Sequence, residues 1–187
     1  MKKLFSLIFI ITTAFSVYSQ ESTGPARENE EILKKNEIKF NLPLAIFGSA
    51  PEVSYERIIN ADISVGTSLT IGLDRDMYPI TFAFTPHFRW FLAKNRSADK
   101  NADGFFIEAN GSLYSQSVEY YPYYDGNTGP EVTSQFGAGL GLAIGWKYLT
   151  KSNWVGEVLI GAGRNFVDQD YDMGAYPRVG ISIGKRF

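Results

Sequence analysis

Residues 136–148 read FGAGLGLAIGWKY. Apolar side chains, most of them large, occupy every second position, and the positions between them hold four glycines, Ala143 and Lys147. Because successive side chains of a β-strand point to opposite faces, this stretch predicts a strand with one apolar face and one face of small or polar residues. The same period of two recurs in residues 62–73 (DISVGTSLTIGL) and 80–92 (ITFAFTPHFRWFL).

The alternation continues over residues 37–187 and predicts eight strands joined by hairpin connections. The predicted strands are 37–47, 52–59, 62–73, 80–92, 105–121, 133–149, 153–167 and 177–187. An even number of such strands is typical of an antiparallel up-and-down barrel. The apolar face points inward in a soluble barrel and outward at lipid in a transmembrane barrel, so the period alone leaves both open.

Two further patterns favour the transmembrane barrel. The face opposite the apolar stripe carries ionised groups of both signs, which can pair inside a closed lumen. This predicted lumenal network comprises Lys39, Glu56, His87, Arg89, Glu108, Lys147, Glu157 and Arg186. Aromatic residues gather at the strand ends on the side of the two chain termini, as a membrane interface favours. The predicted interface aromatics are Phe40, Trp90, Trp146, Tyr148, Trp154 and Phe187.

The start of the chain predicts export. Lys2 and Lys3 precede a short apolar run, and the small Ser19 offers a cleavage site, so residues 1–19 are typical of a signal peptide. Residues 20–36 form a polar leader, part of which suits a short helix. The 187 residues include no cysteine, which excludes disulfides and a lipidated anchor, and the net charge of −2 gives no general case for nucleic acid. We therefore expect an integral protein of a bacterial outer membrane, in contact with lipid and lipopolysaccharide.

Two groups of residues in the connections are candidate binding sites. The segment DKNADG places Asp99, Asn101 and Asp103 at the spacing of the first half of a calcium loop, although position twelve is Asn110 rather than glutamate. An ordinary Asp/Asn/Gly turn explains the same residues. The connections on the other side are rich in tyrosine and acid, which suits contact with a protein or glycan or, alternatively, an interface collar. The contact candidates are Tyr78, Tyr121, Tyr123, Tyr124, Tyr171 and Tyr176.

Four segments carry a resemblance to a known family: PEVSYERIINADISVG (51–66), GFFIEANGSLYS (104–115), WVGEVLIGAGRNF (154–166) and AYPRVGISIGKRF (175–187). They resemble the small outer-membrane barrels of the family called domain of unknown function 3575, common in Bacteroidetes-type bacteria. The resemblance implies an eight-stranded outer-membrane barrel whose C-terminal strand, ending at Phe187, is recognised by the barrel-assembly machinery. It implies no activity or catalytic residue.

The leading functional hypothesis is a non-enzymatic outer-membrane barrel with a filled polar lumen, no open channel and no cofactor unless calcium binds. Its role would be structural or exerted on an external partner of unknown identity through its Tyr/Asp-rich loops. One alternative is a lipid-modifying enzyme, for which the single histidine, His87, would have to join a nucleophile and an acid at the outer rim. The other is a soluble periplasmic ligand-binding barrel, in which Leu69, Leu140 and Ile181 would point inward.

Overall fold

Eight antiparallel strands close into a barrel, each paired with its neighbours in the sequence and the first with the last. The structure is a computed structural model that describes residues 34–74, 77–78, 80–92, 102–120, 131–167 and 174–187. The strands are β1 (Asn36–Asn41), β2 (Glu52–Ile58), β3 (Ile63–Ile71), β4 (Ile80–Phe91), β5 (Gly104–Tyr120), β6 (Glu131–Leu149), β7 (Trp154–Asn165) and β8 (Ala175–Arg186). The predicted signal peptide, and the leader up to residue 33, lie outside the described residues.

The predicted all-β, eight-stranded up-and-down architecture is confirmed. Seven of the predicted strands agree with the structure to within two residues at each end. The first prediction, a strand over 37–47, is wrong in its second half, because β1 ends at Asn41 and a short helix, α1 (Leu42–Phe47), follows.

Pro43 accounts for this difference. Proline has no backbone N–H to donate to a β-ladder but is tolerated in the first helical turn, where α1 contains it. At the other end of the helix, the N–H of Gly48 donates to the carbonyl of Leu44 at 3.2 Å. α1 packs against β8 and leaves Ile46 and Phe47 exposed. Among the described residues, no helix has the length and apolar character needed to cross a bilayer.

The two faces of the barrel wall have opposite character. Most charged side chains of the strands point into the lumen and are buried, whereas most of the large apolar side chains lie on the exterior. Leu140, Leu142 and Ile160 are each more than 60% exposed (61%, 64% and 63%). The exterior belt formed by such residues also includes Val53, Val65, Leu69, Ile71, Phe82, Phe88, Leu113, Ile144, Val158, Val179, Ile181 and Ile183. The apolar stripe seen in the sequence therefore faces outward.

The end of the lumen near the chain termini is closed by an apolar floor. Its members are Ile58, Phe91, Ala102, Phe106, Leu149 and Val155, all of which are buried. The rings of Phe91 and Phe106 lie 5.4 Å apart. Ala102, from the β4–β5 connection, reaches this floor in a left-handed conformation (φ 53°), and its N–H donates to the carbonyl of Ala61 at 3.0 Å.

Candidate functional site

Among the residues that the structure describes, the lumen holds equal numbers of buried acidic and basic groups. Five carboxylates are balanced by five cations, and each of the ten residues is less than 9% exposed. The acids are Glu37, Glu52, Glu56, Glu108 and Glu157, and the bases are Lys39, Arg89, Lys147, Arg178 and Arg186. Because ionised groups are stable in a barrel interior only when they are paired and hydrogen-bonded, this balance is a condition for closing the lumen.

Arg89 of β4 is the centre of the network. Its guanidinium donates to Glu108 on the neighbouring strand (Nε to Oε2, 2.8 Å) and to Glu56 (2.6 Å) and Glu157 (2.7 and 2.9 Å) across the lumen. It also lies 4.6 Å from the centre of the Phe106 ring, on the apolar floor. One side chain thus joins strands β2, β4, β5 and β7.

Two lysines also form ion pairs across the lumen. Lys39 Nζ donates to Glu56 (2.5 Å) and Glu157 (2.6 Å). Lys147 Nζ donates to Glu56 (2.6 Å) and Glu37 (2.8 Å). Glu56 accepts from both lysines as well as from Arg89, so both of its oxygens are occupied by cationic donors. We call Glu37, Lys39, Glu56, Arg89, Glu108, Lys147, Glu157 and Arg186 the ion-pair cluster.

Arg178 connects this cluster to the upper lumen, the end of the lumen opposite the apolar floor. Its Nε donates to Glu108 (3.1 Å), Nη1 to Glu52 (3.1 Å) and Nη2 to Ser68 (3.2 Å). At the opposite end, Arg186 donates to Glu37 at 2.8 Å through Nε. The charged groups therefore extend from the apolar floor to the level of Glu52 without a gap in pairing.

Seven of the eight residues of the predicted lumenal network are joined by these ion pairs, and His87 is the exception. His87 is buried in the lumen, where its Nδ1 lies 3.4 Å from the carbonyl of Thr85. Its Nε2 has no hydrogen-bond partner among the described residues, and the absence of a side chain at Gly66 leaves room for the ring.

Sequence reasoning missed three members of the network: Glu37, Glu52 and Arg178. The signal was present, since Glu37 alternates with Lys39 on β1, and Arg178 shares its face with Arg186 on β8. A stricter application of the two-residue period would have included all three.

Glycines make room for the rings that fill the lumen. A β-carbon at Gly137 would collide with the Tyr114 ring, and one at Gly163 would collide with the Tyr176 ring. Gly145 is covered in the same way by the Phe106 ring. The glycines on the inner face of β6 and β7 therefore have a steric role.

The predicted interface aromatics lie near the edge of the barrel that carries the chain termini, with one exception. Trp90, Trp146, Tyr148, Trp154 and Phe187 are all exposed within four residues of the ends of their strands. Phe40 lies farthest from this edge and is only half-buried: it is the fifth of six residues in β1, four residues from Asn36, and its place at a membrane interface stays a prediction. Lys185 stabilises this edge, with Nζ 2.9 Å from the Ser152 carbonyl and 5.0 Å from the Trp154 ring centre.

Two of the six predicted contact tyrosines fall within the described residues. Tyr78, in the β3–β4 connection, faces the upper lumen, where burial raises the pKa of its phenol and the Glu52 carboxylate adds to the rise. Tyr176 is a correction: it belongs to β8 and not to a loop, and its hydroxyl donates to Asn110 inside the barrel at 2.8 Å. Tyr121, Tyr123, Tyr124 and Tyr171 lie outside the described residues.

The proposed calcium loop is only partly described. Asp99 and Asn101 lie outside the described residues, and the Oδ1 of Asp103 accepts the backbone N–H of Leu149 at 3.1 Å. Within the described part of the chain, no three His, Cys, Asp or Glu side chains form a metal-binding group. Calcium binding stays a prediction.

The comparisons with known proteins give no match, whether to family models, to curated proteins or to solved structures.

Proposed function

We propose that this chain is a small integral barrel of a bacterial outer membrane, with a lumen closed by ion pairs and a structural or interaction role rather than transport. The observation that carries the proposal is the combination of an apolar exterior and a salt-bridged interior. In water, folding buries apolar surface, whereas lipid favours the opposite arrangement.

The exterior belt is the main support for the membrane location. Contiguous apolar patches larger than a few hundred Å² are rare on soluble monomers. Here exposed Leu, Ile, Val or Phe side chains occur on each of the seven strands β2 to β8, and the outward Ile38 and Phe40 of β1 are half-buried. The exposed aromatic side chains at the edge that carries the chain termini are typical of residues at a membrane interface.

The same observations weigh against the two alternatives. A soluble ligand-binding barrel requires Leu69, Leu140 and Ile181 inside, yet they are 45%, 61% and 52% exposed on the exterior. A lipid-modifying enzyme built on His87 would need its imidazole at the lipid surface, yet His87 is enclosed in the lumen.

The proposal also includes three expectations about export, surroundings and partners. They are export by the signal peptide over residues 1–19, lipid and lipopolysaccharide as surroundings, and contact with an external partner through the loops opposite the chain termini. Membership of the family called domain of unknown function 3575 is a further expectation, based on the resemblance of the four segments alone.

Membrane fractionation tests the proposal. The full chain, expressed in a Gram-negative host, is expected in the outer-membrane fraction, where it needs detergent for extraction and migrates faster on a gel when it is not heated. Release by osmotic shock, with no heat-dependent change in mobility, would contradict the proposal. The control is a periplasmic protein of similar size carrying the same signal peptide.

A further inference from the structure

The upper lumen contains a cavity that none of the roles above uses. It has a volume of about 190 Å³ and lies at the end opposite the apolar floor. Its floor is the Glu52–Arg178 pair, and its walls include Tyr78, Tyr114 and Tyr176. We call this space the mouth cavity.

The charges of the cavity floor are already satisfied. Arg178 donates to Glu52, Glu108 and Ser68, and Glu52 also accepts from Asn41 (3.0 Å) and Thr70 (3.0 Å). A charged ligand would meet no excess opposite charge here and would have to give up its hydration. The floor therefore suits an uncharged ligand that exchanges hydrogen bonds with polar groups.

The walls combine tyrosine side chains with hydroxyl, amide and aliphatic groups. Three tyrosines are accompanied by Thr85 and Ser112, whose hydroxyl oxygens lie 3.4 Å apart, and by the Gln116 amide. Tyrosine offers an apolar ring and a polar tip at little conformational cost. Such walls fit a ring that has apolar C–H faces and a rim of hydroxyls.

The size of the cavity limits the ligand to one ring. Pockets for drug-sized ligands measure roughly 300–1,000 Å³, so this smaller space matches a single ring-sized group. We propose that the mouth cavity binds an uncharged polyhydroxylated ring, that is, one neutral sugar residue, either free or at the end of a glycan. That the mouth cavity opens to the outside of the cell rests on the proposed function. The binding of a neutral sugar does not depend on it.

The test is saturation-transfer NMR on the refolded full chain in a detergent without a sugar headgroup. The probes are D-glucose, D-galactose and N-acetyl-D-glucosamine, with D-glucosamine and D-glucuronate as charged analogues. Saturable binding of at least one neutral sugar is expected, with a dissociation constant of about 1 mM and with the charged analogue weaker. Tighter binding of either charged analogue, or no binding of the neutral sugars, would overturn the inference.

Two variants locate the binding, and a third is the control. Ala83→Phe fills the cavity from the inner face of β4, where Thr85 also lies, and Tyr78→Ala removes one wall; each is expected to weaken binding at least about tenfold. Tyr55→Ala removes an exposed tyrosine on the exterior and should bind as the parent does. Equal loss in all three variants, or retained binding in both cavity variants, would overturn the inference.

Two further comparisons distinguish a free sugar from the end of a glycan, and the sugar-binding inference from the proposed function. The methyl glycoside of the bound sugar should bind as well as the free sugar if the ligand is the end of a glycan, and more weakly if it is the free sugar; either result supports the cavity as the site. A barrel that inserts into vesicles but binds no neutral sugar overturns only this inference. A barrel that binds sugar but stays in the aqueous fraction overturns only the proposed function.

Discussion

Arg89 shows how a buried charge can be stabilised in the middle of a barrel. Its guanidinium contacts carboxylates from three other strands and lies over the Phe106 ring, so each of its three nitrogens donates to a carboxylate. Without it, the two lysines would be the remaining cationic partners of Glu56 and Glu157 among the described residues, and Arg178 would be that of Glu108. Of the residues in the ion-pair cluster, Arg89 should therefore contribute most to the free energy of unfolding.

Replacing Arg89 by methionine should destabilise the barrel strongly. Arg89→Met removes the positive charge but keeps an apolar chain of similar length, so the carboxylates lose a buried partner at a cost of about 3–5 kcal/mol. The measurement is urea unfolding in lipid vesicles. Arg57→Met is the control, because Arg57 is exposed and donates only to Asn36 among the contacts described, and its loss should be within about 1 kcal/mol. Equal losses in the two variants would refute the central role of Arg89.

A pair of glycines tests the packing of the lumen. A β-carbon at Gly145 would meet the Phe106 ring and the Val158 carbonyl, whereas one at Gly156 would meet nothing within 4 Å. Gly145→Ala should therefore cost about 1–3 kcal/mol through overpacking, and Gly156→Ala should be neutral or stabilising. Vesicle unfolding of the two variants is the readout. If Gly145→Ala proved as stable as Gly156→Ala, the lumen would not be as tightly filled as described.

The wall of the barrel has unequal heights. β5 and β6 have 17 and 19 residues, whereas β1 has six. Six residues extend about 20 Å along a strand, and a tilt of about 40° reduces that to about 15 Å of height, against an apolar band of about 25 Å. α1 follows β1 directly and exposes Ile46 (65%) and Phe47 (75%), so it extends the exterior belt where the strand is too short.

The position of α1 can be measured with a single label because the chain has no cysteine. A nitroxide at Phe47→Cys, in lipid vesicles, should be accessible to oxygen and protected from a water-soluble nickel complex. Leu142→Cys in the belt is the lipid reference, and Lys151→Cys in the exposed β6–β7 turn is the water reference. A Phe47 label that behaves like the one at position 151 would place α1 outside the membrane.

The alternation in the sequence was enough to predict most of the elements and their faces. It worked for β6 because every inward position between Gly137 and Lys147 is small or charged, and every outward one is apolar. It failed at residues 42–47, where an apolar run continues past Pro43 and conceals a helix. Local sequence also cannot give partners across the lumen: Lys147 pairs with Glu37, 110 residues away, and only the closure of the barrel brings them together.

The lumen of the barrel is filled with side chains over most of its length. The apolar floor, the ion-pair cluster and the rings beside the inward glycines occupy the lumen up to the mouth cavity. An eight-stranded barrel has an interior just wide enough for its own side chains, so we expect no continuous water column. Electrostatic balance in the lumen and an apolar exterior are the two features that the proposed location in a membrane requires.

A filled lumen predicts the absence of conductance. Purified protein reconstituted in a planar bilayer should show no steady single-channel currents above the background of protein-free membranes. The positive control is a large porin reconstituted under the same conditions, which leaves an aqueous channel. Steady unitary currents that scale with salt concentration would show that the ion-pair cluster opens.

The most direct measurement is the change in unfolding free energy caused by Leu140→Arg in lipid vesicles. Leu140 is 61% exposed on the exterior, so in water this substitution should change stability by no more than about 0.5 kcal/mol. If the Leu140 side chain contacts hydrocarbon, the free energy of unfolding should fall by about 2–4 kcal/mol. The control substitution Lys151→Arg, in an exposed turn, should have no such effect. A loss at position 140 of less than about 0.5 kcal/mol would contradict the claim that this exterior faces lipid.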